Sequence, residues 1–312
     1  VTIHLSIIAV SKPYFIMSNI NRRRFIRTGA AGTALALTGL PIASSCSNST
    51  TAIDKVKLGD TGLNISRVAF GMGTHGWKHE SNQMRIGMNN FLDLVGFGYD
   101  QGIRFFDTAD TYGSHVCANE ALKFIPREKV TVMSKIWTSE LEWKKLEPVP
   151  KILDRIRKEI NTDYLDICLM HCMQNHRWPK EKRQFMDDMQ RAKDDGIIKK
   201  IGISAHNLDA LKEAAESEWV DVILARINHV GTRMDDKPEK VMPVLEQARK
   251  NGKGILGMKL FGCGDLAEEA DREKSLNYVI GSGNVHAMTI GFESVEQVKD
   301  TVERVSRIVS SS

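Results

Sequence analysis

From residue 57 onward the chain alternates short apolar runs with amphipathic segments, and this alternation limits the fold more than any other feature. The runs occupy 67–71, 103–107, 130–135, 165–171, 200–204, 222–228, 254–259 and 287–291. They are rich in Val, Ile, Leu and Phe with little polar alternation, the pattern of strands buried on both faces. Helical periodicity marks 90–101, 118–124, 149–160, 180–195, 208–216, 238–251 and 267–280, and a last segment, 295–309, closes the series. Several of these stop at Gly102, Gly196 or Asn251-Gly252, where a helix end needs a left-handed residue. Strand–helix units repeated over about 240 residues predict an α/β fold, a (β/α)8 barrel in one domain. A doubly wound sheet fits less well, because no GxGxxG follows the first strand to cradle a pyrophosphate. Residues 57–66, with Asp60-Thr61-Gly62 as the turn, predict a short β-hairpin ahead of the barrel.

The formal charge of +4 is unevenly placed. Lys12, Arg22, Arg23, Arg24 and Arg27 lie within residues 1–53, which contain no Asp or Glu, so the rest of the chain is near neutral and gives no reason to expect a nucleic-acid partner. Residues 1–53 are therefore expected to be an export signal and linker, and 54–312 the barrel. Asn21 to Arg27, followed by a weakly apolar stretch to Ala43, resembles a twin-arginine signal. Ala43-Ser44-Ser45-Cys46 resembles a loose lipoprotein cleavage box, with Cys46 as the lipid anchor. The apolar patch before Met17 is unneeded for export, which suggests Met17 as the natural start. The expected destination is the periplasm or, lipid-anchored, a bacterial membrane, by way of the twin-arginine export machinery. The five cysteines, at 46, 117, 168, 172 and 263, form no CxxC pair, and no metal site is expected.

Chemistry is expected where polar residues end the apolar runs, since a barrel gathers the C-terminal ends of its strands into one mouth. Asp107, Lys135 and His171 end the second, third and fourth runs, and Tyr112 follows Asp107 closely enough to reach back. A Lys ammonium held by a carboxylate favours the phenolate of a nearby Tyr, so the Tyr pKa is expected to fall and make Tyr112 a general acid near neutral pH. His171 can orient or polarise a carbonyl. Trp77, Trp137, His176 and Trp178 are expected in loops after the first, third and fourth strands, within reach of substrate, where Trp suits a sugar or polyol face, with a structural role expected for at least half of them.

Asp107-Thr108-Ala109-Asp110-Thr111-Tyr112-Gly113, Ser134-Lys135 and Leu169-Met170-His171 resemble the motifs of the aldo-keto reductase family. The resemblance covers about residues 54–309 and implies NADP- or NAD-dependent reduction of an aldehyde or ketone, or oxidation of the corresponding alcohol, with Tyr112 as proton donor. It places Ser204 at the nicotinamide carboxamide, and Lys259, Gln297 and Asp300 among the cofactor contacts. It also shows departures: Ala205 for the usual Asn, Leu224 for a common Gln, and Met258 for a Tyr that stacks on the nicotinamide. Gly291 and Gln297 stand where NADP-preferring members carry cations for the 2′-phosphate, which makes NAD use plausible, with Lys259 and Lys299 as the remaining nearby cations. The alternative is a non-catalytic or cofactor-retaining binding barrel, since the altered contacts fall on the nicotinamide.

Overall fold

The computed structural model describes residue 53 and residues 55–311. The expected export signal, the start at Met17 and the anchor at Cys46 lie outside the described residues.

Eight parallel strands close into a barrel, β3 (Val68–Gly71), β4 (Phe105–Asp107), β5 (Thr131–Trp137), β6 (Leu165–Met173), β7 (Ile198–Ala205), β8 (Val222–Arg226), β9 (Gly254–Met258) and β10 (Ala287–Gly291). Each neighbours the next in sequence, and β10 pairs with β3 to close the ring. The helices are α1 (Asn82–Arg85), α2 (Met88–Asp100), α3 (His115–Leu122), α4 (Val149–Ile160), α5 (Trp178–Glu181), α6 (Arg183–Asp194), α7 (Leu208–Glu216), α8 (Pro238–Lys250), α9 (Glu269–Gly281) and α10 (Val295–Ser310). The fold expected from the sequence is the fold found. The four-residue helices α1 and α5 were not expected, because one turn is too short to show a period.

Both faces of the strands are apolar but serve different cores. Phe105, Met133, Ile167, Leu169, Leu224 and Leu256 fill the barrel interior. Their neighbours Phe106, Val132, Cys168, Met170, Ile223 and Ile255 face the helices. Because successive side chains point to opposite faces, the interior series continues to Asp107 on β4, Lys135 on β5 and His171 on β6. The same two-residue step that fills the core thus delivers these polar groups to one mouth.

The hairpin expected over 57–66 begins two residues earlier. Strands β1 (Lys55–Lys57) and β2 (Asn64–Ser66) pair antiparallel, Lys55 opposite Ser66. Its buried Leu58 and Ile65 belong to the interior core, and Asp60 N–H donates to Gly252 O at 2.8 Å just before β9. The hairpin therefore plugs the end of the barrel opposite the polar mouth.

Local termini follow ordinary capping rules. Asn207 accepts from the backbone N–H groups of Asp209 and Ala210 to start α7, and Ser294 accepts from Gln297 N–H to start α10. Helix α4 ends at Asn161, which adopts the left-handed conformation.

Candidate active site

At the mouth, the Lys135 ammonium donates to Asp107 Oδ1 and, at 2.9 Å, to the Thr108 carbonyl. Thr289 on β10 donates its hydroxyl to the other Asp107 oxygen at 2.6 Å. Asp107 and Lys135 are both buried. Burial alone would lower the Lys135 pKa, but the Asp107 charge, with Tyr112, more than offsets it and the net direction is upward. The ammonium lies 4.8 Å from the centre of the Tyr112 ring, and Tyr112 Oη is 3.5 Å from His171 Nε2. The four residues proposed from sequence are thus brought into one cluster. Thr289, which sequence reasoning missed, completes it; its inward place in the middle of β10, two residues after the interior Ala287, was the available signal.

The expected lowering of the Tyr112 pKa is not what the structure gives. Burial pushes the phenol up, Lys135 opposes and Asp107 adds, and the net direction is upward. The phenol therefore keeps its proton through neutral pH. His171 is driven well below the ordinary imidazole value, first by burial and then by the Lys135 charge, so it is neutral. Its Nδ1 is buried without a partner while Nε2 meets Tyr112, so Nε2 is the ring nitrogen turned toward the phenol.

Two glycines after β3 fix the Tyr112 ring. A Cβ on Gly73 would lie 2.1 Å from Tyr112 Cε2, and one on Gly76 would lie 2.5 Å from Cδ1. Gly76 N–H bonds Gly73 O at 2.9 Å, so the turn grips the ring along both edges. Beneath the same loop Asp110, wholly buried, pairs with Arg155 at 2.7 Å and Lys144 at 2.9 Å, and its N–H bonds Lys135 O at 3.0 Å.

The aromatic residues divide. Trp137 stands 5.4 Å from His171 between ring centres and 5.2 Å from Trp77, which in turn meets Trp143 at 5.3 Å. Trp178 takes the structural role expected for at least half of these residues: it is buried in the core, where its indole faces Ala210 O and Trp219. As the first residue of α5 it points inward to anchor that turn. His176 borders a shallow surface hollow with Asp209 and Lys212, apart from the mouth. His206, not singled out from sequence, packs 6.3 Å from His171. Burial, followed by the Arg226 charge, lowers its pKa to about 4.

A cleft of about 550 Å³ runs from Asp107 and Tyr112 past Gly71 and Met258 to Gln297 and Asp300. Lys259 lines it in a left-handed conformation, φ 62°. Gln297 Oε1 accepts from Glu293 N–H at 2.7 Å, and Asp300 pairs with Arg272 at 3.2 Å and Arg304 at 2.9 Å. Lys259, Gln297 and Asp300 thus share one cleft with Asp107 and Tyr112. Ser204 is not among its lining residues; it is buried beneath, its oxygen accepting from Cys172 N–H at 2.8 Å across a bulge in β6. Arg272, from α9, lines the cleft and was not found by sequence reasoning, because nothing in a helix sequence marks which cation faces a distant loop. Lys299, named from sequence as a nearby cation, pairs at 3.9 Å with Glu303.

Among the described residues no group of three or more His, Cys, Asp or Glu side chains is placed to hold a metal ion, and Cys117, Cys168, Cys172 and Cys263 are free thiols.

The model of the Aldo/keto reductase family matches residues 67–310. A Glycine max relative bearing an aldo-keto reductase name is 27% identical over 239 residues, covering 72% of this chain but 65% of that protein. Methylglyoxal reductase DkgB of Yersinia pestis is 25% identical over 212 residues, 66% of this chain and 71% of its own. The chain spans about half the length of several other curated relatives. Among solved structures, an aldo-keto reductase of Klebsiella pneumoniae in complex with NADPH superposes with a TM-score of 0.60 at 16% identity, over 81% of this chain and 90% of that one.

Proposed function

Because the chain belongs to the aldo/keto reductase family, we propose that it reduces an aldehyde or ketone, or oxidises the corresponding alcohol, with Tyr112 as general acid and a nicotinamide nucleotide as redox partner. The observation that carries this reading is the buried cluster in which Lys135, tied to Asp107, lies against Tyr112 while Tyr112 Oη meets neutral His171.

The cleft beside that cluster suits a long, phosphate-bearing ligand, with a backbone-lined floor at Gly71 and Gly291 and a cation at Lys259. When bound there, the nicotinamide supplies hydride. The chain's own residues handle the proton. His171 Nε2–H and Tyr112 Oη–H both donate to the carbonyl oxygen, which polarises it. As negative charge grows on that oxygen, the proton passes from Tyr112, because an alkoxide is a far stronger base than a phenolate. The phenolate left behind is stabilised by the Lys135 ammonium, and Asp107 with the Thr108 carbonyl keeps that ammonium charged and aimed.

We further propose that NAD serves at least as well as NADP. A side chain at 291 is excluded, since its Cβ would fall 1.8 Å from Thr74 Oγ1. Gln297 Oε1 is committed to Glu293 N–H, and the Arg272 guanidinium is held by Asp300 and by Ala267 O. Glu293 and Glu296 line the same cleft, so a 2′-phosphate there meets carboxylates, and of the cations named above Arg272 and Lys299 are already paired.

Titration of the purified protein with NADH and NADPH, followed by tryptophan fluorescence, tests both points. Failure of both to bind refutes the reductase reading, and NADPH binding tighter by about tenfold or more refutes the NAD proposal. Tyr112→Phe is expected to abolish reduction while leaving nucleotide binding intact. Nucleotide binding without turnover on any carbonyl favours the non-catalytic barrel, which the departures at Ala205, Leu224 and Met258 keep in view. For residues 1–53 we propose twin-arginine export with Cys46 as anchor; cell fractionation and N-terminal sequencing check this, and an intact Val1 terminus in the cytoplasm refutes it.

A further inference from the structure

We propose that Asn228 and Ser275 are positioning residues for nucleotide binding, which hold the turn after β9 in the shape that walls the cleft; this rests on the reading of that cleft as a nucleotide site. The turn runs from Lys259 to Gly264, and Lys259, Leu260, Phe261, Cys263 and Gly264 all line the cleft. Asn228, two residues beyond β8, and Ser275, in the middle of α9, are wholly buried and are not among the lining residues. They act on the turn from behind.

The turn does not take its shape unaided. Lys259 and Cys263 both lie in the left-handed region, φ 62° and 59°, which a residue bearing a Cβ enters at a cost. Such a conformation persists only where the surrounding structure imposes it. Asn228 supplies part of that constraint, its Nδ2 donating to Lys259 O at 3.1 Å and to Thr232 O at 2.7 Å. Its Oδ1 accepts from Val230 N–H at 3.2 Å and Gly231 N–H at 2.8 Å. All four hydrogen-bonding positions of the amide are thereby used, which fixes the placement of its oxygen and nitrogen. Ser275 Oγ donates to the next carbonyl, Leu260 O, at 2.6 Å. Packing adds a further point of contact, since a Cβ on Gly262 would fall 3.0 Å from Thr232 Cγ2, in the loop that Asn228 folds.

Two consecutive carbonyls of the turn are therefore held by donors from two different elements. In a planar trans peptide the N–H points opposite to the C=O, so fixing Lys259 O and Leu260 O also fixes the N–H groups of Leu260 and Phe261, turned away from the buried donors. Packing alone gives no reason for these residue types. An apolar side chain at 228 or 275 needs no partner, whereas a buried amide or hydroxyl must be bonded, and both spend their donors on the cleft wall.

The test titrates the full chain with whichever of NADH and NADPH the wild type binds more tightly, followed by tryptophan fluorescence. Asn228→Asp keeps the shape and the accepting oxygen but removes both donors, and is expected to raise Kd about tenfold. Ser275→Ala, which loses one hydroxyl and carries the test if Asn228→Asp does not fold, is expected to raise it about threefold. At saturating nucleotide kcat is expected to be unchanged in both, with the loss confined to KM for the nucleotide. Without any ligand, amide deuterium exchange over 259–264 is expected to quicken in both variants while exchange in β9 does not. Asparagine tolerates the left-handed region better than lysine, so Asn228→Asp is expected to cost less in a Lys259→Asn background than in the wild type. Unchanged Kd and exchange in both variants, an equal fall in kcat, or a penalty undiminished by Lys259→Asn would each overturn the proposal. A wild type that binds neither nucleotide refutes the reading of the cleft itself, whereas a wild type that binds no better than both variants refutes only the roles of Asn228 and Ser275.

Discussion

Replacing Gly73 by Ala is the most economical way to ask whether the Tyr112 ring must stand where it does. The added methyl carbon would sit 2.1 Å from Cε2 and 2.2 Å from Cδ2, whereas ordinary contact begins at 3.4 Å, so the ring must yield by about 1.3 Å. It has nowhere free to go, because Gly76 touches the opposite edge, where even a Cβ would lie 2.5 Å from Cδ1. The hydroxyl is then carried off its 3.5 Å approach to His171, and the ring off the ammonium 4.8 Å from its centre. A misplacement of about 1 Å at a reacting group costs on the order of 100-fold in rate. Overpacking costs about 1–3 kcal/mol in stability. Gly73→Ala is therefore expected to lower kcat/KM for carbonyl reduction about 100-fold, to leave a cooperative unfolding transition at modestly reduced Tm, and to add little to the loss already caused by Tyr112→Phe. Nicotinamide absorbance follows the rate and circular dichroism the melt. Wild-type turnover in Gly73→Ala, or losses that multiply with those of Tyr112→Phe, would refute the reasoning.

Lys135→Met leaves Asp107 buried with Thr289 as its remaining side-chain donor among the described residues, and loss of one partner of a buried pair costs about 3–5 kcal/mol, read from urea unfolding; an unchanged midpoint would show the pair is solvated. The upward shift of Tyr112 means reduction should hold steady through neutral pH and fall only as the phenol ionises above its ordinary value of 10.0; a decline centred near neutrality would contradict it. Glu159 is held down to about 2, against an ordinary 4.5, because His115 and Arg155 outweigh its burial. A carboxyl so lowered contributes stability that is complete above pH 4.5 and disappears as pH falls toward 2, about 1–2 kcal/mol after allowing for its partial exposure. Glu159→Gln should remove that contribution at neutral pH and flatten the acid limb of the stability profile; an unchanged limb assigns acid unfolding elsewhere.

How much was legible beforehand follows from which physical signals are local. Alternation of apolar runs with helical segments is written residue by residue, so the barrel, its hairpin and most element bounds could be read directly, with α4 and α7 matched at both ends. Asp107, Lys135 and His171 were legible for the same reason: each continues the two-residue step of interior side chains past the point where the core ends. Tyr112 was readable only as a residue in reach. That its pKa rises is a property of burial, which depends on the Gly73–Gly76 turn arriving from a different strand.

Contacts between distant segments had no comparable signature. Thr289 meets Asp107 across 182 positions of chain, and Arg272 reaches the cleft from α9 to pair with Asp300. Trp137 ends β5 and Trp178 follows β6, the same side chain near the ends of neighbouring strands, yet Trp178 anchors the core and Trp137 borders the mouth. By itself the sequence determined the architecture and the ends of the strands where polar groups gather, because periodicity and strand alternation are local rules. Tertiary structure alone decided which groups are buried, which charges are already paired and which polar atoms lack a partner. Desolvation and hydrogen-bond satisfaction depend on everything packed around an atom, and most of that is far away in sequence.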